Sequence, residues 1–414
     1  MRLPCAWSCK AGIPFEIVVK LCPTLSVVEA GQAERRGVPM ENVLIYDDRL
    51  ASAEYTPTHP FKPVRAKLFI ELLHRYHNVH DDRFVIMAPE PLDEELLYLF
   101  HDRAYIDLLK KAERGEFAPE MLHAGLGNEE NPIFRGMYQL ALTIAGGTHQ
   151  GAMLLAEGAA RAVFEPLGGL HHAGRSRASG FCYINDIAIA MADLVRKGRR
   201  LVYIDIDVHH GDGVQEAFYM TDKVLYISLH ESGETLFPGS GRETEIGAGE
   251  GWGYTVNIPL RAGTDDEVYV SAFEAVVPPL VERFGADLVF AQIGADAHKD
   301  DKLAHLNLTS SGYKRVVSRI NEISPRIMAM GGGGYNVYKT AALWTLAWSV
   351  LVGTEPEDKF TGLVGGMMYG PEADAGSLED LPFALEGREK ELCIEEANRV
   401  VNYIKKTVFP IHRL

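Results

Sequence analysis

Long apolar runs, cysteines and surplus positive charge are all scarce in this sequence, and each scarcity narrows what the chain can be. The best apolar run, Ala341 to Val352, is too short to span a bilayer and carries Thr345 and Ser349. Near the N-terminus, Glu16 and Lys20 break up the only stretch that resembles a signal peptide. The five cysteines (Cys5, Cys9, Cys22, Cys182 and Cys393) are too few and too scattered for a disulfide framework, so a reducing cytoplasm is the expected location. Cys5 and Cys9 have no second pair to complete a metal site. Lys and Arg total 41 against 57 Asp and Glu, a formal net charge of −16. No direct binding to nucleic acid or to an anionic membrane is expected of such a surface; it mildly favours basic partners such as lysine-rich segments.

What is present is a chain of 414 residues, 47 % of them hydrophobic, enough for a substantial core. No repeat or low-complexity linker divides it. Sequence of ordered character begins near Met40, so residues 1–39 read as an N-terminal extension, either flexible or upstream of the true start. From residue 64 the spacing predicts a helix, with Val64, Leu68, Leu72 and Tyr76 on one face and Phe69 and Leu73 beside them. A second helix is expected over 137–157. Nearly continuous apolar runs at 200–206, 224–229, 287–293 and 326–330 have the pattern of central parallel strands covered on both faces. Helices lie between them: one over 185–197 stopping at Gly198, one opened by a capping box from Thr264 to Glu267, and one capped by Thr309 and running to Ile323. The fold class that follows is α/β, a single domain with helices on both faces of the sheet.

Three of the strands run into polar sequences: DIDVHHGDG (205–213), GADAHKDD (294–301) and GGGGYN (331–336). Ligands of open parallel sheets sit beyond the carboxyl ends of the strands, so all three point to one crevice. Asp205, Asp207 and His209 alternate and so share a face. Converging buried carboxylates and an imidazole need a counter-charge, and a divalent cation supplies it. Oxygen and imidazole ligands suit zinc, with Asp296 as a third ligand from a second strand. Taken alone, an Asp-rich strand end that caps the next helix accounts for the first motif equally well.

In GGLHHAGRSRASGFCYIND (168–186), the adjacent His171 and His172 become an acid–base pair if each has its own carboxylate. Asp205 and Asp212 are the candidates. Two surface-loop histidines is the competing interpretation of an isolated pair. Tyr335, directly after four glycines, can donate its hydroxyl to a developing oxyanion. GGGGYN lacks the Lys and Ser/Thr of a phosphate-binding loop.

These motifs, in this order, resemble the histone deacetylase family of the arginase/deacetylase superfamily, including its bacterial acetoin-utilisation branch. KPVRA (62–66), FHDRAYI (100–106), ISLHESGETLFPGSG (227–241) and YTVNIPL (254–260) extend the resemblance from about residue 47 to about 352. The resemblance implies a mostly parallel, roughly eight-stranded sheet. It makes residues 40–414 one deacetylase domain, with a motif-bearing core over 47–352 and an acidic loop and final helix over 355–414, the helix read from 392 to about 406. It implies a single zinc ion on Asp207, His209 and Asp296, with His171 paired to Asp205 and His172 to Asp212. His172 would take the water proton and later protonate the leaving lysine amine, with His171 tuning the site and Tyr335 facing the oxyanion. Phe181 and Phe237 match the aromatic walls of an acyl-lysine channel, Gly180 borders it, and Leu303 matches an apolar rim position. Structural K+ or Na+ is implied at Asp205, Asp207, His209, Ser228 and Leu229, and again at Phe218, Thr221, Val224 and Tyr254. Arg65 matches an arginine beside an acetate-release cavity.

Two positions depart from the family pattern. Its rim aspartate falls within GLGNEENP (125–132), where this chain offers Glu129 or Glu130, and Leu170 replaces an aromatic residue before the tandem histidines. The expected activity is hydrolysis of acetyl-lysine, on an acetylated protein. A small acetylated amine such as an acetylpolyamine is the alternative, disfavoured by the apolar Leu303. A binuclear manganese ureohydrolase or a non-catalytic binding protein accounts for fewer of the motifs. Oligomeric state does not follow from the sequence.

Overall fold

The computed structural model describes residues 41–53, 55–76, 83–356 and 378–414. The proposed extension over 1–39, Cys5, Cys9 and Cys22 lie outside these residues, as does most of the acidic loop. Cys182 and Cys393 are buried free thiols. No helix among the described residues is long and apolar enough to cross a membrane.

Eight strands form one sheet: β1 (Asn42–Ile45), β2 (Phe84–Met87), β3 (Ala162–Glu165), β4 (Leu201–Asp205), β5 (Val224–Glu231), β6 (Thr255–Leu260), β7 (Leu288–Gln292) and β8 (Ile327–Met330). Their order is β2-β1-β3-β8-β7-β4-β5-β6, and every pairing is parallel. All residues of β3 to β8 are buried, the result of continuous apolar runs covered on both faces. Sequence reasoning found β4, β5, β7 and β8. It did not mark β1, β2, β3 or β6 as strands, and the first three are only four residues long.

The principal helices are α1 (Val64–Tyr76), α2 (Arg103–Glu113), α3 (Met137–Glu157), α4 (Asp186–Arg196), α5 (Asp212–Phe218), α6 (Asp266–Phe284), α7 (Ser310–Ile323), α8 (Val337–Val352) and α9 (Gly387–Thr407). The apolar run that is too short for a membrane lies in α8, where Trp344 and Trp348 are fully buried against Phe69, Phe164 and Phe84. Three expectations need correcting. On α1 the buried face is Phe69, Leu73 and Tyr76 with Arg65, whereas Leu68 and Leu72 are only partly covered. Asp265, not Thr264, caps α6 by accepting from the Val268 N–H; the Thr264 hydroxyl turns back to the Arg261 carbonyl. The last helix begins at Gly387 rather than 392, because Lys390 on its first turn pairs with Asp265.

Candidate active site

Loops leaving β3, β4, β7 and β8 meet at the carboxyl edge of the sheet. β4 ends at Asp205, and the chain then turns with short backbone bonds: Asp207 N–H donates to Asp205 Oδ1 (3.1 Å) and His209 N–H to Asp207 Oδ1 (3.0 Å). This turn brings Asp207 and His209 against Asp296 from the β7 loop. His209 Nδ1 lies 3.1 Å from both Asp207 Oδ1 and Asp296 Oδ2. The second oxygen of each carboxylate is engaged elsewhere, Asp207 Oδ2 by Gly333 N–H (2.7 Å) and Asp296 Oδ1 by Val208 N–H (2.9 Å). One ligand atom from each of the three residues therefore falls within 4.8 Å of the others. Space for this is made by glycine: a Cβ on Gly333 would stand 1.9 Å from Asp296 Oδ2.

The donor set fits a divalent cation. A single N–H on His209 Nδ1 cannot serve two carboxylates at once, whereas a cation shared by all three atoms satisfies them together. Burial works against charge on His209, yet the two carboxylates pull its pKa up to about 10, the mark of a site rich in negative charge. Burial and the neighbouring Asp207 push Asp296 in the direction of protonation.

The tandem histidines sit beside this cluster. His171 Nδ1 is 2.9 Å from Asp205 Oδ2, His172 Nδ1 is 2.8 Å from Asp212 Oδ1, and the two Nε2 atoms are 3.0 Å apart. For His171, burial opposes the charge, but the Asp205 and Asp207 carboxylates outweigh it and raise the pKa to about 9. His172 goes the other way, down to about 4, through burial and the adjacent His171. Neighbouring imidazoles are thus separated into one that holds its proton and one that stays neutral. Tyr335 faces them across the site, its ring 6.3 Å from His209 and 5.7 Å from Phe181. Burial and the charges of Asp296 and Asp207 hold its hydroxyl well above the ordinary phenol value, so it is an O–H donor.

Phe237 packs on His172 (5.0 Å between ring centres) and is 43 % exposed. Phe181 follows Gly180 through positive φ at both residues (69° and 55°). Gly180 lies hard against the tandem histidines, since a Cβ there would reach within 2.2 Å of His172 Cδ2. Leu303 is half-buried. The two rim acids separate: Glu130 accepts from the Gly180 N–H, whereas Glu129 is exposed. Arg65 is fully buried and donates to the carbonyls of Gly334 (2.8 Å) and Gly332 (2.5 Å), so it holds the glycine run that presents Tyr335. Ser228 lies beside Asp205 in the β4–β5 register, with Leu229 next in β5, and Phe218 and Thr221 share one turn beyond α5, near Val224 at the start of β5. The Tyr254 carbonyl accepts from Tyr226.

Other site residues escaped sequence reasoning. Tyr203 donates its hydroxyl to Asp205 Oδ2 (2.6 Å), and β alternation with Asp205 was a usable signal. Asp301 accepts from both Tyr335 N–H (2.7 Å) and Leu303 N–H (2.9 Å). Asp186 receives the N–H groups of Gly169 and Leu170 and so fixes the approach to His171. His210 and His298 are engaged away from the Asp207–His209–Asp296 cluster: His210 with Ser240 and Gln215, His298 with Asp380.

A parallel α/β sheet with a buried Asp-His-Asp cluster able to hold a cation, a carboxylate-backed histidine pair and a facing tyrosine is the arrangement of a hydrolase of the deacetylase kind. The histone deacetylase domain matches residues 59–351. Histone deacetylase clr6 of Schizosaccharomyces pombe is 36 % identical over 330 residues, covering 79 % of this chain and 80 % of that protein. Human histone deacetylase 1 is 36 % identical over 326 residues, covering 78 % and 67 % respectively. The crystal structure of an HDAC homolog from Aquifex aeolicus superposes with a TM-score of 0.75 at 33 % identity, over 86 % of this chain and 99 % of that one. The chain belongs to the histone deacetylase family.

Proposed function

We propose that this protein is a zinc-dependent deacetylase that hydrolyses the acetyl amide of acetyl-lysine on proteins. The observation that carries this reading is the convergence of Asp207, His209 and Asp296 beside an oppositely tuned His171–His172 pair, with Tyr335 facing them. A single zinc on those three ligands would supply Lewis-acid polarisation of the acetyl carbonyl and acidify an attacking water. His172, held neutral and oriented by Asp212, accepts the proton of that water at Nε2 and returns it to the departing lysine amine. His171 keeps its own proton against Asp205 and stabilises negative charge nearby. Tyr335 donates to the tetrahedral oxyanion. Structural K+ or Na+ at the positions around Ser228 and Thr221 would brace the ligand turn from below.

The names of the relatives and the net charge of −16 both favour a lysine-rich protein substrate. The test is turnover of a fluorogenic acetyl-lysine peptide with and without chelator, alongside Asp207→Asn and metal analysis. Wild type is expected to carry a single zinc and to lose activity reversibly on chelation; Asp207→Asn is expected to lose zinc and turnover together. Undiminished activity in a metal-free sample overturns the mechanism. Faster turnover of an acetylpolyamine overturns the substrate assignment.

A further inference from the structure

The C-terminal segment reaches the catalytic floor through one carboxylate. The Asp380 side chain is almost completely buried, at 3 % exposed, although the residue as a whole is half-buried. Its Oδ2 accepts from His298 Nε2 at 2.5 Å and from the Ser310 N–H at 3.1 Å; Oδ1 takes the Lys339 ammonium; its own N–H donates to Ser310 Oγ at 2.7 Å. The tautomer of His298 is fixed by its neighbours. Nδ1 accepts from the Asp300 N–H (3.1 Å), so Nε2 carries the hydrogen given to Asp380.

The sequence positions of these partners matter. His298 follows the cation-cradle residue Asp296 by one intervening residue, and Lys339 lies on the first turn of α8 just beyond Tyr335. Asp301 already joins the two loops from inside through the Tyr335 N–H. Asp380 joins the same two loops from outside and adds the N-terminus of α7. His298, Asp300 and Asp380 also approach one another closely enough for a metal, but the Lys339 ammonium pairs with Asp380 and stands 3.9 Å from Asp300, so this cluster already has its positive charge.

We propose that Asp380 is a positioning residue for catalysis: by clamping His298 and Lys339 it sets the separation between Asp296 and Tyr335. The proposal rests on the roles given to those two residues above. The same C-terminal segment supplies its own control. Lys390 Nζ pairs with both oxygens of Asp265 at 2.7 Å, anchoring the segment to the start of α6, which meets the β7 loop only at its far end around Asn307, beyond residues 294–301.

The experiment compares Asp380→Asn with Lys390→Met in the full chain. It measures kcat and KM on an acetyl-lysine peptide, zinc content, thermal midpoint, and amide hydrogen exchange over 294–301 and 331–339. Asp380→Asn places a donor against His298 or Lys339, and is expected to lower kcat by about tenfold with KM within about twofold at full zinc loading. Exchange should quicken in both segments. Lys390→Met should lower the thermal midpoint and leave kcat and both segments unchanged. The proposal is overturned if Asp380→Asn keeps kcat within about twofold, or if both variants lose kcat in step with their thermal midpoints. Should Asp380→Asn not fold, Lys339→Met removes one arm, and faster exchange confined to 331–339 is required. If wild type does not turn over acetyl-lysine, the proposed function fails, and the exchange comparison alone decides the role of Asp380.

Discussion

At the floor of the site, each carboxylate that could meet a cation has its other oxygen tied to a buried backbone N–H; at the rim, side chains stand in or near solvent. Asp207 and Asp296 are buried and doubly engaged, and Asp205 holds both His171 and Tyr203. Phe237 is 43 % exposed, Glu129 is exposed, and Leu303 is half-buried. Rigid second contacts fix reacting groups in one geometry, which is what transition-state stabilisation requires. Side chains without such contacts tolerate exchange, and under the proposed function that is where substrate choice would be set. Changes at the floor should therefore act on kcat, and changes at the rim on KM.

The largest effect is expected from Tyr335→Phe. The ring keeps its contacts with Phe181 and His209, and Arg65 and Asp301 still hold the peptide group between Gly334 and Tyr335. Folding and zinc content should match wild type, while kcat falls about 10²–10³-fold, or about 2.7–4 kcal/mol, with little change in KM. Steady-state kinetics on zinc-quantified protein checks this. Retained turnover would remove Tyr335 from the floor and leave it a wall residue.

The same division governs what the sequence could disclose. The ligand loops were legible because buried apolar strands break abruptly into Asp, His and Gly, and a site at the strand ends explains that change in three loops at once, where helix capping explains only one. Asp296 was found for that reason although it lies far along the chain from Asp207. Contacts made by a side chain to distant backbone left no pattern: Arg65 reaches carbonyls 267 and 269 residues away, and nothing local signals it. The strands β1 and β2 are four residues each, as is β8, but β8 runs straight into GGGGYN, whereas no such glycine run marks β1 or β2. Which rim glutamate turns inward depends on the conformation of the loop, and the adjacent pair Glu129–Glu130 carries no period to decide it.

Acid should loosen the rim's support in a definite direction. His101 accepts the Asn185 N–H at Nε2 (3.0 Å) and reaches the Arg175 carbonyl with Nδ1 (3.2 Å), bracing both ends of the loop that carries Gly180 and Phe181. Burial lowers its pKa to about 4 from the ordinary 6.5. Between those values the unfolded chain binds more protons than the folded one, so stability is present above pH 6.5 and is lost as pH falls toward 4. One such histidine gives a slope of up to about 1.4 kcal/mol per pH unit. His230, pushed down to about 3 by burial and by His210, acts in the same sense beneath the floor. Urea unfolding from pH 7 to pH 5 should show the loss, and His101→Gln should flatten the slope by about one proton's worth. An unchanged slope in that variant would show that His101 is not the group responsible.

The smallest effects separate the two rim acids. Glu130 accepts from the Gly180 N–H, at a turn where Gly180 and Phe181 both hold positive φ and where Gly180 lies against the His172 ring. Its carboxylate therefore shapes the channel wall from behind, and Glu130→Gln exchanges a charge-assisted hydrogen bond for a neutral one. That costs on the order of 1 kcal/mol, expected as a rise in KM of about two- to fivefold with kcat unchanged. Glu129 is exposed, and Glu129→Gln should change neither stability nor KM beyond about 0.5 kcal/mol. Parallel kinetics on an acetyl-lysine peptide and on a small acetylated amine sharpen the contrast. If Glu130 acts only on the wall, both substrates lose affinity equally, because both thread the same channel. If Glu129→Gln instead weakens the peptide alone, the exposed acid is the one that grips the substrate backbone, and the rim must be assigned the other way round.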